Sequence, residues 1–241
     1  MITKNQIKLI KSLRIKKNRI QSGFFIAEGE KIVDELIESD LETINIYSIS
    51  EKYNNLKNYN SINTTQLKQI SNLKSPNNVL GVFKIPTNQE IDFNANIIAL
   101  EDINDPGNLG AIIRLCDWFG IKNIICSENS VDCYNPKVIQ STMGSISRVN
   151  ISYMKFDDLI LLSNHKTIAA DLNGKNLKEY LFSDKQIIFF GSESKGLTKK
   201  LSSKIKDKIT IERYNNNVES LNLASSVAIF LSELNNQIIG K

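Results

Sequence analysis

Three short stretches combine residue types able to bind a ligand and handle a proton. The first, DINDPGNLGAIIR, holds a turn at Asp105-Pro106-Gly107, an amide at Asn108 placed to cap a helix, and Arg114, which lies off that helix's apolar stripe of Ile112, Ile113, Cys116 and Phe119. The second, GSESKGL, sets Glu193 between Gly191 and Gly196, and glycines there let a ligand or another backbone approach closely. The third, ERYNNNVESLNLASS, places Ser220 and Asn222 at the start of a helix rich in small residues, Ala224, Ser225, Ser226 and Ala228. Taken singly, each stretch is equally explained by helix capping and loop bracing.

Other chemistries lack their residues. No GxGxxG follows a strand, which disfavours a dinucleotide oxidoreductase, and no GxxxxGK[ST] occurs, which excludes a P-loop. The single histidine, His165, falls in the loop LSNHKT and is expected at the surface, so neither a histidine-based triad nor a multi-histidine metal site can be assembled. Cys116, Cys126 and Cys133 show no CxxC spacing, and we expect a reducing cytoplasm, no disulfide and no bound metal. Asp157 and Asp158 read as the polar face of a helix, KFDDLILLSN.

The elements that would position these stretches are legible as alternating short apolar runs and amphipathic segments. From residue 97 the order is NIIALE, GAIIRLCDWFG, NIICS, a helix near 136 to 144, TIAAD, QIIFFG, TKKLSSKI, KITI and ESLNLASSVAIFLSEL. Such alternation predicts an α/β domain with a parallel sheet, whose ligands bind beyond the C-terminal strand ends, where the three stretches fall. Upstream, the pattern predicts a helix over 4–17, an amphipathic helix through EGEKIVDELIES with Ile32, Val33, Leu36 and Ile37 on one face, and strands INIYSI and VLGVFK. The polar TNQEIDFNAN then reads as a linker, dividing the 241 residues into 1–90 and 91–241, two domains at about 150 residues or fewer each. The apolar runs fall well short of the roughly 18–20 residues that span a bilayer, and cations interrupt the N-terminal apolar positions as they would not in a secretory signal, so no membrane partner is expected.

Charge is unevenly placed. Lys4, Lys8, Lys11, Arg14, Lys16, Lys17 and Arg19 all precede the first acid, Glu28, so an anionic polymer could dock there, although a solvated helix face explains the run as well. A second lysine cluster, from Lys195 to Lys208, flanks an apolar stripe of Leu197, Leu201 and Ile205.

In this order, NLGAIIRLCDWFG, FFGSESKGL and ESLNLASSVA resemble the three motifs of the SpoU (TrmH) family of RNA 2'-O-ribose methyltransferases, a likeness spanning residues 97 to 235. The N-terminal LIKSLRIKKNRIQSGFFIAEGEKIVDE, with Phe24, Phe25, Glu28 and Gly29, is similar to the family's L30e-like RNA-binding domain. The resemblance implies a small α/β module followed by a SPOUT-type domain with a deep trefoil knot that binds S-adenosylmethionine, paired into a homodimer whose site borrows residues across the interface. It implies catalytic positions at Asn108, Arg114, Glu193, Ser220 and Asn222, cofactor contacts at Gly191, Gly196, Ile211 and Leu221, and RNA contacts at Lys8, Lys11, Arg14, Lys16, Lys17 and Arg19. One departure stands out: the third motif usually begins Ile-Pro-Met with a glycine soon after, whereas here Glu212-Arg213-Tyr214 and Asn216 occupy those places.

The implied reaction is methylation of a ribose 2'-hydroxyl, with ribosomal RNA favoured over transfer RNA. Because a guanidinium is a poor general base, Arg114 is read as an electrostatic clamp on the developing alkoxide and its phosphate, with Glu193 orienting Arg114 or an RNA donor. A catalytically inactive RNA-binding dimer is the alternative. A generic doubly wound small-molecule enzyme ranks last, since it leaves the basic N-terminal helix unexplained.

Overall fold

The computed structural model describes residues 2–87, 90–163, 165–215 and 217–239. It contains two compact units, Met1–Asn88 with Asp132–Ser147, and Gln89–Val131 with Arg148–Lys241.

In the first unit, the helix expected over 4–17 is two helices, α1 (Lys4–Ser12) and α2 (Lys16–Ser22). Thr3 and Gln6 form a capping box that starts α1. The break follows because side chains further on satisfy its last carbonyls: Asn18 Nδ2 donates to Ser12 O (3.0 Å) and Arg19 Nη1 to Leu13 O (2.7 Å). Strands β1 (Phe24–Glu28), β2 (Thr43–Ser48), β3 (Tyr59–Ser61) and β4 (Val79–Lys84) form a sheet in the order β1-β4-β2-β3, antiparallel except for the parallel β2–β3 pair. Helices α3 (Glu30–Ile37) and α4 (Thr64–Ile70) complete the α/β module, with Ile32, Val33 and Leu36 of α3 buried as the periodicity predicts.

The segment Asp132–Ser147, which the division near residue 90 leaves in the C-terminal domain, belongs to this first unit. Its helix α6 (Pro136–Thr142) packs on β1, the Tyr134 ring lies 4.9 Å from that of Phe25, and Asp132 accepts from Arg19 Nε at 2.9 Å. These partners lie more than 100 positions apart, out of reach of any local pattern.

The second unit holds a wholly parallel sheet in the order β10-β8-β9-β5-β6-β7, formed by β5 (Ile97–Leu100), β6 (Asn123–Cys126), β7 (Asn150–Tyr153), β8 (Lys166–Asn176), β9 (Gln186–Phe190) and β10 (Asp207–Thr210). Every residue of β5, β6 and β9 is buried, which is why these strands read as apolar runs apart from the opening Asn123 and Gln186. Helices α5 (Pro106–Trp118), α7 (Phe156–Leu162), α8 (Lys199–Ser202) and α9 (Leu223–Ile239) flank it, with Leu201 and Ile205 buried as the stripe predicts. Strand β8 is longer than TIAAD suggests. Its pairing with β10 jumps from Ala169 opposite Lys208 to Lys175 opposite Ile209, so residues 170–174 bulge from the ladder. A side chain at Gly174 would meet the backbone of Lys208 and Ile209 at 2.4 Å, so glycine is what allows the ladder to close again.

His165 differs from expectation. Both ring nitrogens are buried without a hydrogen-bond partner, and the ring sits 6.0 Å from that of Phe93. The packing of residues 90–96 against this unit, which includes Asp92 N–H donating to Asn123 Oδ1, supplies the cover that the loop sequence does not reveal. The three cysteines are buried and form no disulfide, and burial pushes the Cys116 thiol well up. Among the described residues, no helix is long and apolar enough to cross a membrane and no group of side chains could hold a metal ion.

Candidate active site

The three sequence stretches converge at the C-terminal ends of the second unit's strands. Helix α5 is capped by Asp105, whose Oδ1 accepts the Asn108 N–H at 2.7 Å, with Pro106 at the first turn. Asn108 is therefore not the cap its position suggests, and its side chain is released for other contacts. Its Nδ2 donates to Glu193 Oε1 at 2.6 Å, and its Oδ1 accepts from Asn222 Nδ2 at 3.0 Å. Asn222 in turn accepts the Ser225 N–H at 3.3 Å, so one amide both caps α9 and joins it to α5. The result is a relay from Asn222 through Asn108 to Glu193.

Glu193 rides on a loop that two glycines make possible. Ser192 and Gly196 exchange backbone hydrogen bonds of 3.2 and 2.9 Å, and a Cβ on Gly191 would lie 2.0 Å from the Gly196 carbonyl carbon. Gly196 itself has φ of +63°, the left-handed region that glycine enters freely. The loop's far end is tied down by Glu101, at the end of β5, which accepts from Thr198 N at 2.7 Å and Thr198 Oγ1 at 2.8 Å. Next to it, Asp102 holds φ of +52°, secured by Ser127 Oγ at 2.8 Å from both its N and its Oδ1.

Beside this loop lies a cavity of about 670 Å³, lined by Phe190 and Phe230, the β8 bulge, the Gly191–Leu197 loop and residues 211–215 and 218–221. Gly191, Gly196, Ile211 and Leu221, the expected cofactor contacts, all line it, as do Glu193 and Ser220. Its size suits a small organic ligand of nucleoside dimensions, and the flanking loops offer both backbone polar groups and apolar surface. Arg114 does not line the cavity. It is exposed on α5, six residues after Asn108 and so about 120° away around the helix, with no hydrogen bond or ion pair among the described residues. Asn216 lies outside the described residues.

Two features escaped sequence reasoning. Residues 170–173 of the bulge line the cavity, and only the Asn173-Gly174 pair hinted at a turn inside an apolar run. Glu101 was legible only as the end of a strand.

The cations expected to meet RNA divide in two. Lys8, Lys11, Lys16 and Lys17 are exposed on α1 and α2. Arg14 instead donates to Ile70 O (3.4 Å) and Ser71 O (2.8 Å), the last carbonyls of α4, and Arg19 is only 2% exposed and ion-paired with Asp132, so its side chain is committed inside the fold.

Comparison with known proteins matches residues 95–232 to the SpoU rRNA Methylase family and residues 4–81 to the MRM3-like substrate binding domain. A Bacillus subtilis protein named 23S rRNA (guanosine(2553)-2'-O)-methyltransferase RlmP is 26% identical, with 96% of each chain covered. A TrmH-family structure from Porphyromonas gingivalis superposes with a TM-score of 0.89 at 30% identity, covering 97% of this chain and 98% of that one. AviRb from Streptomyces viridochromogenes, a SpoU methyltransferase solved with AdoMet, shares the fold with a TM-score of 0.88 at 17% identity, covering 98% and 99%.

Proposed function

Because the chain belongs to the SpoU rRNA Methylase family, we propose that it methylates a ribose 2'-hydroxyl of RNA, using S-adenosylmethionine. The observation that carries this reading is the Asn222–Asn108–Glu193 relay at the edge of the cavity lined by Gly191, Ile211 and Leu221. The cofactor, when bound, supplies an electrophilic methyl on a sulfonium. Glycine-shaped loops and the apolar lining fit its adenosyl group, and Ile211 and Leu221, which line the same cavity, would hold it through their backbones. Glu193, oriented by Asn108, is an acceptor for a ribose or base donor, and Ser220 lines the same wall. Arg114 supplies positive charge to the developing alkoxide and adjacent phosphate.

Arg114 lies off the cavity wall, and four residues on Trp118 is 85% exposed, which supports a homodimer in which a second copy completes the site. The family supports a trefoil knot in the C-terminal domain, residues 91–241, with residues 1–90 as the RNA-binding domain. Lys8, Lys11, Lys16 and Lys17 then contact phosphates, while Arg14 and Arg19 hold the helices that present them. The Bacillus subtilis relative favours ribosomal over transfer RNA, and three cysteines outside any disulfide suit the reducing cytoplasm.

The test is transfer of labelled methyl from S-adenosylmethionine to total RNA of cells lacking the protein, followed by alkaline hydrolysis. Label in alkali-resistant dinucleotides, lost with Arg114→Ala, is expected. No label from folded protein, with naked RNA and with ribosomal particles, would leave an RNA-binding role. Near wild-type turnover in Arg114→Lys would remove the requirement for a planar guanidinium.

A further inference from the structure

Beyond β10 the chain enters Glu212-Arg213-Tyr214, where the family commonly has Ile-Pro-Met. Tyr214 is 83% exposed, an unusual state for a large aromatic ring, yet it is not loosely held. Its hydroxyl donates to Glu212 Oε2 at 2.6 Å, a bond that is the main cause holding the Glu212 carboxyl below its ordinary value. Arg213 Nη1 donates to the carbonyls of Val218 (3.1 Å) and Glu219 (3.4 Å), tying this strand end to the residues just before Ser220. Tyr214 lines the same cavity as Glu193, Lys195 and Ser220, and Lys195 is exposed with no ion pair among the described residues.

We infer that Tyr214 is a stacking platform for an unstacked RNA base at the mouth of the cavity, with Lys195 meeting the adjoining phosphate. The inference rests on the RNA-methylating role proposed above. A nucleotide whose ribose is drawn into a cavity loses stacking against its neighbours, and an exposed aromatic face replaces that stacking without regard to base identity. A lysine lining the same cavity adds the charge toward the RNA backbone that accompanies such platforms. The Glu212 hydrogen bond limits the ring's rotation before RNA arrives, which reduces the ordering cost of stacking. The methionine common in the family lacks a planar ring, so the platform belongs to this chain's departure from the usual motif.

The experiment compares wild type, Tyr214→Phe and Tyr214→Ala, all full length, using ribosomal RNA from cells lacking the protein. It measures KM and kcat for that RNA, filter binding of the same RNA, S-adenosylmethionine affinity by equilibrium dialysis, and oligomeric state. Tyr214→Ala is expected to raise KM for RNA and weaken filter binding by about tenfold or more, as follows from removing one base–aromatic stack, with cofactor affinity and oligomeric state unchanged. Tyr214→Phe, which keeps the ring, should stay within about threefold of wild type, a small effect that reflects only the missing hydroxyl. Unchanged RNA binding in Tyr214→Ala would overturn the inference. So would a parallel drop in cofactor affinity, which would make the ring a cofactor cover, or dissociation of a dimer, which would make it a protein contact. If wild type transfers no methyl, the proposed function fails, and filter binding still decides the platform.

Discussion

Asn108 shows how one side chain acquires a role when a neighbour relieves it of another. Asp105 caps α5, and the freed carboxamide uses its donor on Glu193 and its acceptor on Asn222, a division that a carboxylate, which only accepts, could not make. The glycines of the Glu193 loop differ in why they are glycine, and this yields a paired prediction. At Gly196 a Cβ meets nothing within 4 Å, so Gly196→Ala carries only the cost of φ of +63°, about 1–2 kcal/mol. At Gly191 a Cβ would lie 2.0 Å from backbone, so Gly191→Ala must displace the loop. Thermal unfolding and calorimetric titration with S-adenosylmethionine should show the larger decrease in stability and in binding for Gly191→Ala. Equal behaviour of the two variants would contradict the packing of this loop. The glycine positions were visible in the sequence; which of them serves conformation and which serves close approach was not.

Among the elements, α2 and the segment before α6 depend on each other through Arg19 and Asp132. Both side chains are largely removed from water, at 2% and 14% exposure, and removing one partner leaves the other charge without compensation. Asp132→Ala is expected to destabilise the first unit by about 3–5 kcal/mol, whereas the double variant Arg19→Met with Asp132→Leu should recover most of that stability. Chemical denaturation followed by circular dichroism checks both, and a double variant no better than the single would refute the pairing argument. The parallel strands β5, β6 and β9 and helix α9 were legible because buried strands are predominantly apolar and a long helix repeats its stripe. The split of α1 from α2 was not, since the carbonyls that end α1 are capped by side chains six residues further on.

For the whole molecule, the surplus of cations ahead of Glu28 predicts salt-sensitive RNA binding. Lys8, Lys11 and Lys17 are exposed, so replacing each with Gln should flatten the dependence of log affinity on log salt by about 0.7–0.9 for every phosphate that no longer meets a cation. Filter binding across a salt series measures this, and an unaltered slope in the triple variant would move the RNA surface elsewhere. Arg14→Gln should instead act through stability, because its guanidinium is spent on the end of α4. The amino-acid sequence by itself determined the α/β class, the parallel sheet, the three stretches at strand ends and the family they belong to. Those properties rest on local periodicity and on ordered motifs. Only the tertiary structure decided that Asn108, Glu193 and Asn222 form one relay, that Arg19 is buried while Lys17 is not, that residues 132–147 join the first unit, and that the bulge in β8 walls the cavity. Each of these depends on residues distant along the chain meeting in space, which periodicity does not encode.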